Sequence, residues 1–225
     1  MRYVLVTHIT QSNLPAAYNT VYSFKTKHPD AHVYAFGEKP NIILKALNVG
    51  YIEYSGNLYN QLIRTNTPDA NKHHTGILLS NKYDAIVVVD AGVLFNKSIK
   101  NYVLSSIVNN KVLGTTEFNG RLYMDPSFYI VSSKLVDEKL QRSVISGLTL
   151  SEPSVALVDA YYPVLDTSIS NDIVVVHPGD TLEYTNKSII KYKDNAWNSV
   201  SDNDIWKKIT NNFMEDVYEK SVRNN

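Results

Sequence analysis

The sequence predicts an α/β domain with a mixed, mostly parallel sheet flanked by helices, and three observations point there. The first is the run Ala85-Ile86-Val87-Val88-Val89, apolar throughout and rich in valine, with no polar face to show to water. Such a run fits a strand buried on both faces, the usual condition of a parallel sheet. The second is the alternation of strand-like and helix-like stretches along the chain. The third is how the run ends, in Asp90-Ala91-Gly92: a carboxylate, then a residue that allows tight backbone approach. Ligands of open α/β sheets bind outside the carboxyl ends of the strands, so a central strand here points Asp90 into the crevice. A turn start would use an aspartate equally well.

Taken in order, residues 2–7 read as a first strand. Ser12 or Asn13 can cap the following helix, with Pro15 in its first turn, where a missing N–H costs nothing. Leu14, Ala17, Tyr18, Val21 and Phe24 then share one helical face. Residues 32–36 form a second strand, 42–47 a short helix and 50–54 a third strand. Residues 56–81 are helical in pattern, broken at Pro68-Asp69, and lead into the central strand. Residues 97–109 suit a helix that starts near Asn96 or Ser98. Strands follow at 111–116 and 127–132, separated by a polar segment from Glu117 to Arg121, with a helix over 135–145. A late strand at 173–176 runs into His177-Pro178-Gly179-Asp180. From Asp204, Trp206, Ile209, Phe213 and Val217 recur at helical spacing and predict a docking helix over 204–222.

Composition bounds the function. A chain of 225 residues with 44% apolar and 20% charged residues is expected to fold as one globular domain, 1–225. Lys plus Arg equals Asp plus Glu at 22 each, so no bulk field favours nucleic acid or an anionic membrane. The absence of cysteine removes disulfides, thiolate nucleophiles and cysteine-ligated metals. No run reaches a transmembrane length and the opening strand is too short for a signal peptide, so the expectation is a cytoplasmic protein, in the host cytoplasm if viral.

Four stretches, in order, resemble the GT-A nucleotide-sugar glycosyltransferases, most of all those of the glycogenin and galactinol synthase type. They are Val4-Leu5-Val6-Thr7-His8 with the helix after it; Lys72, then Lys82-Tyr83-Asp84 and the strand to Asp90; Asp125-Pro126-Ser127-Phe128-Tyr129-Ile130-Val131; and Val174-Val175-Val176-His177-Pro178-Gly179. The resemblance implies a nucleotide-sugar-binding half over 1–116 and an acceptor and metal half over 117–200. It places Thr7, His8 and Tyr18 around the nucleoside and Lys72 on phosphate. Gly92 and Gly179 would stand against the donor, and Asp90 and His177 would ligate Mn²⁺ or Mg²⁺. Asp90, Asp125 and Glu152 are the candidate catalytic residues, and a UDP-sugar is the first candidate donor. Such transfer needs developing charge on a leaving diphosphate to be stabilised. The acceptor would be a glycan, a protein or modified DNA, and the family's stereochemistry implies retention.

This sequence also departs from the family's pattern. The second aspartate of the aspartate-any-aspartate motif is replaced by Gly92, which makes the motif degenerate, and no lysine-proline-tryptophan clamp for diphosphate follows His177; Lys187, Lys191 and Trp197 are only loose substitutes. One carboxylate and one histidine make a poor divalent site unless donor and water complete it. Plain alternatives stand beside each candidate: Glu152 suits a helix first turn, Asp125-Pro126 a turn, and His177 a loop hydrogen bond. His73 and His74 are adjacent, so on a helix they diverge and cannot form a joint metal face. Tyr51, Tyr54, Tyr59, Tyr161 and Tyr162 could stack on sugar or base, or fill the core.

Two rival functions remain at this stage. One is a non-catalytic nucleotide-sugar or partner-binding protein that has lost the second aspartate. The other is a phage-type transferase acting on hydroxylated DNA bases, suited to a cysteine-free, Asn- and Lys-rich chain, with Lys97, Lys100, Lys111, Arg121, Lys187, Lys191 and Lys193 as a basic patch. A dinucleotide-binding oxidoreductase ranks lower, because Thr7-His8-Ile9-Thr10 follows the first strand where a glycine fingerprint would stand.

Overall fold

The computed structural model describes residues 1–10, 12–37, 48–53, 76, 79–118, 120, 122–136, 161–180, 185–193 and 196. In chain order the elements are β1 (Tyr3–Ile9), α1 (Leu14–Lys27), β2 (His32–Gly37), β3 (Gly50–Glu53), β4 (Ala85–Val89), β5 (Val93–Phe95) and α2 (Lys100–Asn109). They continue with β6 (Val112–Phe118), β7 (Leu122–Ser132), β8 (Leu165–Asp166), β9 (Ile173–Val176) and β10 (Ile189–Tyr192). Among the described residues one sheet has the strand order β3-β2-β1-β4-β7-β6-β8, and β5-β10-β9 form a second. In the first, β3, β2, β1 and β4 run parallel, β7 is antiparallel to both β4 and β6, and β8 is parallel to β6. This is the mixed, mostly parallel sheet that the apolar run predicted.

The run is apolar because it faces two cores. All five residues of β4 are buried. Val4 pairs with Ile86 and Leu5 with Val87 along the β1–β4 ladder. Leu5, Val87 and Val89 pack with Ala17, Val21 and Phe24 of α1, while Val4, Val6, Ile86 and Val88 face the opposite side with Val131 and Leu135. Each fully buried aliphatic side chain contributes about 1.5–3 kcal/mol, so these two strands anchor the fold.

Helix α1 does more than bury its predicted apolar face. Its Thr20 and Ser23 are buried as well. The Thr20 hydroxyl accepts the Gly92 N–H at 3.0 Å, and the Ser23 hydroxyl accepts the Phe95 N–H at 3.1 Å. These two bonds satisfy the edge of β5 that β10 does not cover. Asn13 stands at the N-cap position, but its side chain makes no capping bond. Its amide oxygen accepts the Thr10 N–H at 2.8 Å and its NH₂ donates to the His8 carbonyl, pinning the β1–α1 turn.

Two boundaries differ from the sequence reading by three residues or more. Helix α2 starts at Lys100; the residues before it are tied to β10 instead, the N–H groups of Asn96 and Lys97 both donating to the Ser188 carbonyl. Strand β7 begins at Leu122 and runs through Asp125-Pro126, which therefore do not form a turn. Strands β5, β8 and β10 were not anticipated. The predicted helices over 42–47 and 204–222, and most of those over 56–81 and 135–145, lie outside the described residues. Among the described residues no helix is long and apolar enough to cross a membrane.

His28 ties three elements together. The Ile99 N–H donates to its Nε2 at 3.2 Å, so the ring proton sits on Nδ1 and is donated to the Tyr3 hydroxyl at 2.7 Å. Burial, followed by the Lys100 charge, lowers this imidazole to about 4. With the folded value lowered, the unfolded chain takes up the proton first. Stability is fully present above about pH 6.5 and falls as pH drops toward 4, by about 3 kcal/mol in all. Urea unfolding at pH 7 and pH 4.5 should show this decline in the wild type and a shallower one in His28→Gln.

Candidate functional site

The chain leaves β4 in a tight turn at the carboxyl end of the parallel strands. The Asp90 N–H donates to the Ser127 carbonyl at 2.8 Å, and the Asp90 carbonyl accepts the Val93 N–H at 3.3 Å. Gly92, the third residue of that turn, has φ +99°. Any L side chain is strained there, at about 1–3 kcal/mol. Both its backbone groups are engaged, the N–H with Thr20 and the carbonyl with the Tyr192 N–H at 3.2 Å. Glycine is therefore what this turn requires, and an aspartate at position 92 would have to deform it.

Opposite Asp90, β7 bulges. Gly114 of β6 pairs with Tyr129 and Thr116 with Met124, so on the β6 side residues 125–128 of β7 face Thr115 alone. A bulge is one of the few places within a sheet where proline is tolerated, which accounts for Pro126. The extra residues turn Asp125 inward, where it is almost wholly buried. One carboxylate oxygen accepts the Ser127 N–H at 3.0 Å and the Ser127 hydroxyl at 2.6 Å. The other accepts the Thr115 hydroxyl at 2.9 Å and pairs with the Lys191 ammonium. Burial alone would raise this carboxyl, but the Lys191 charge and the Ser127 bonds outweigh it and hold Asp125 below the ordinary carboxylate range.

Lys191 and Lys193 sit two apart on and just beyond β10, so they point to the same side. Lys191 is buried and lies 3.6 Å from Glu117 as well as on Asp125; Lys193 pairs with Glu117 and is 27% exposed. Glu117 also accepts the Tyr123 hydroxyl at 3.1 Å. Glu117, Asp125, Lys191 and Lys193 line one pocket of about 350 Å³ together with Asp90, Ser127 and Tyr192. Three carboxylates and two ammonium groups thus converge between the two sheets, beside the carboxyl end of β4. A cavity of that size and polarity can take a small polyhydroxylated ligand, whose hydroxyls both donate to carboxylates and accept from lysines.

Asp90 and Asp125 are the sequence-derived candidates that line this pocket. Thr7 pairs with Val89, one residue short of Asp90, and its buried hydroxyl has no hydrogen-bond partner among the described residues. His8 follows it at the end of β1, half-buried. Tyr18 is wholly buried and stacks on Tyr22 at 5.8 Å between centroids. His177 and Gly179 occupy an exposed turn, in which the His177 N–H donates to the Asp180 carboxylate at 2.7 Å and Gly179 has φ +88°. Lys72, Glu152 and Arg121 lie outside the described residues.

The structure gives the expected metal ligands, Asp90 and His177, no support from a larger ligand cluster. Among the described residues no group of three or more His, Asp or Glu could hold a metal ion. His177 is not among the residues lining the pocket with Asp90, and the Asp125 and Glu117 carboxylates that do line it are already paired with lysines. With two of its three carboxylates paired to ammonium groups, the described lining of this pocket does not fit a divalent ion.

Sequence reasoning did not place Lys191 and Lys193 beside Asp125 and Glu117: it counted both in a diffuse basic patch, and Lys191 otherwise only as a loose substitute for the diphosphate clamp. A usable signal was present. Lys191 interrupts Ile189-Ile190-Lys191-Tyr192, a run that otherwise reads as a strand, and a lysine inside such a run calls for a buried carboxylate.

No protein-family model matches the chain, and no curated protein matches its sequence. Solved structures do. The galactosyltransferase LgtC, in complex with donor and acceptor sugar analogues, aligns with a TM-score of 0.60 at 11% identity, over 93% of this chain and 95% of that one. The apo form of the glycosyltransferase GlyE of Streptococcus pneumoniae TIGR4 gives 0.64 at 10% identity, over 99% of this chain and 64% of that one. Mouse xyloside xylosyltransferase 1 gives 0.58 at 10% identity, over 87% and 99%. At these identities the likeness is one of fold, and the fold is that of the GT-A glycosyltransferases.

The buried pair makes a sharp stability prediction. Lys191→Met leaves Asp125 charged, buried and short of its main partner, and should cost about 3–5 kcal/mol in urea unfolding. Adding Asp125→Asn should recover a large part of that loss, because the two changes are coupled.

Proposed function

We propose that the chain is a glycosyltransferase that moves a sugar from a nucleotide-sugar donor to an acceptor at the pocket beside Asp90. The observation that carries this reading is the mixed-charge pocket at the carboxyl end of β4, in a fold shared with glycosyltransferases that handle galactosyl and xylosyl groups. In that reading the sugar hydroxyls are held by the carboxylates of Asp90 and Asp125. Thr7, His8 and Tyr18, at the end of β1 and on the helix after it, support the nucleoside. The anomeric carbon–oxygen bond to the diphosphate breaks, the acceptor oxygen bonds that carbon, and the acceptor proton leaves with the diphosphate. Retention and a UDP-sugar donor follow from the glycogenin-type resemblance and define the first compounds to test.

The test is a thermal-shift panel of nucleotide sugars, followed by measurement of nucleoside diphosphate released in the presence of candidate glycan, protein and hydroxylated-DNA acceptors. A ligand that binds the native state at 100 times its Kd stabilises it by about 2.7 kcal/mol. One donor should raise the melting temperature selectively. Asp90→Asn should then lower kcat/KM by on the order of 100-fold with little loss of stability. A flat panel with folded protein overturns the proposal, and a shift without turnover for any acceptor reduces it to a binding protein.

A further inference from the structure

Both ammonium groups that line the pocket are already neutralised within it. Lys191 is buried, pairs with Asp125 and lies 3.6 Å from Glu117. Lys193 pairs with Glu117. Among the described lining residues, three carboxylates, those of Asp90, Glu117 and Asp125, therefore stand with two lysines that each carry a carboxylate already. Glu117 is the carboxylate that both lysines reach. It comes from β6, the lysines from β10 and the residue after it, and the Tyr123 hydroxyl of β7 donates to its other oxygen at 3.1 Å. Groups from three strands and the turn beyond thus fix its position at the pocket wall.

We propose that Glu117 is a specificity-determining residue of this pocket: by holding Lys193, and by sharing Lys191 with Asp125, it leaves no ammonium for a carboxylate on the ligand, so the site takes uncharged sugars and rejects acidic ones such as uronic acids. The assignment deepens the transferase reading and rests on it for the ligand being a sugar. A sugar hydroxyl is welcome here because it can donate to a carboxylate or accept from a lysine. Each ammonium has three N–H donors, and a carboxylate partner does not use them all. A ligand carboxylate would be a fourth beside two ammonium groups. It could gain a counter-ion only by taking Lys193 from Glu117, which would then stand in the same pocket with Lys191 shared between it and Asp125. Like charges gathered in one site are a general means of rejecting the wrong ligand. Lys191 cannot serve the newcomer either, because Asp125 would be left charged and buried without its partner.

The test uses free galactose and galacturonate as probes, on the whole chain, by calorimetric titration and saturation-transfer NMR, and repeats the comparison with UDP-galactose and UDP-galacturonate. Wild type should favour the uncharged member of each pair by about tenfold or more, the scale of a charge left without a counter-ion. Glu117→Gln should shift that ratio toward the acid by about tenfold, the scale of one charge-assisted hydrogen bond, with the gain fading as salt rises. Its melting temperature should stay close to that of wild type, because Lys193 is partly exposed and Asp125 keeps Lys191. Adding Lys193→Gln to Glu117→Gln should return the preference toward that of wild type, which a general loosening of the pocket would not do. Equal binding of acid and neutral sugar by wild type, a ratio unmoved by Glu117→Gln, or no binding of any of the four probes overturns the proposal. The two readings fail separately. A ratio that moves with Glu117→Gln on the free sugars, beside a flat nucleotide-sugar panel, preserves the charge filter and removes the transferase. Turnover of both UDP-sugars at equal rates in wild type and variant preserves the transferase and removes the filter.

Discussion

The ion pair between Lys191 and Asp125 is the contact on which the site depends. Its partners stand 66 residues apart in the chain and belong to different sheets, Lys191 to the small one and Asp125 to the bulge in the large one. Both are buried, so each makes the other tolerable: an isolated charge in that position would be expensive, and the pair is kept only because hydroxyl and amide donors complete its hydrogen bonding. Removing either charge alone leaves the other buried without its partner. The Thr20 and Ser23 hydroxyls hold the seam between the sheets from the other side, through the backbone of β5.

The pocket is a consequence of that seam. The parallel strand β4 delivers Asp90 to its carboxyl end, where the backbone turns sharply through Gly92 into the small sheet. The bulge in β7 brings Asp125 to face it, and β10 closes the far wall with two lysines on one side. Each wall is placed by backbone geometry, so the charged heads meet in a framework that is already formed.

Much of the large sheet was legible in the sequence. A strand buried on both faces has no choice but to be apolar at every position, so 85–89 announced itself, and with it the aspartate at its end. The alternating pattern of the first hundred residues likewise reads directly as parallel α/β structure. What was hidden depends on contacts remote in sequence. Pro126 beside Asp125 suggests a turn to any local rule, because nothing nearby shows that a bulge excuses the missing N–H. Lys191 looks like a surface residue until Asp125 is placed beside it. The short strands β5, β8 and β10 have too few residues for a period to show, and they exist because neighbours supply their hydrogen bonds. Gly92 could be read as a missing ligand; its positive φ and its two backbone hydrogen bonds show it as a requirement of the turn.

The most direct test of this picture is to map, by backbone amide chemical shifts, where a stabilising nucleotide sugar contacts the protein. The largest changes should fall on Asp90, Gly92, Ser127, Tyr192 and Lys193, the backbone that frames the mixed-charge pocket. Changes confined to other surfaces, with these five amides unmoved, would contradict the assignment of this pocket as the donor site.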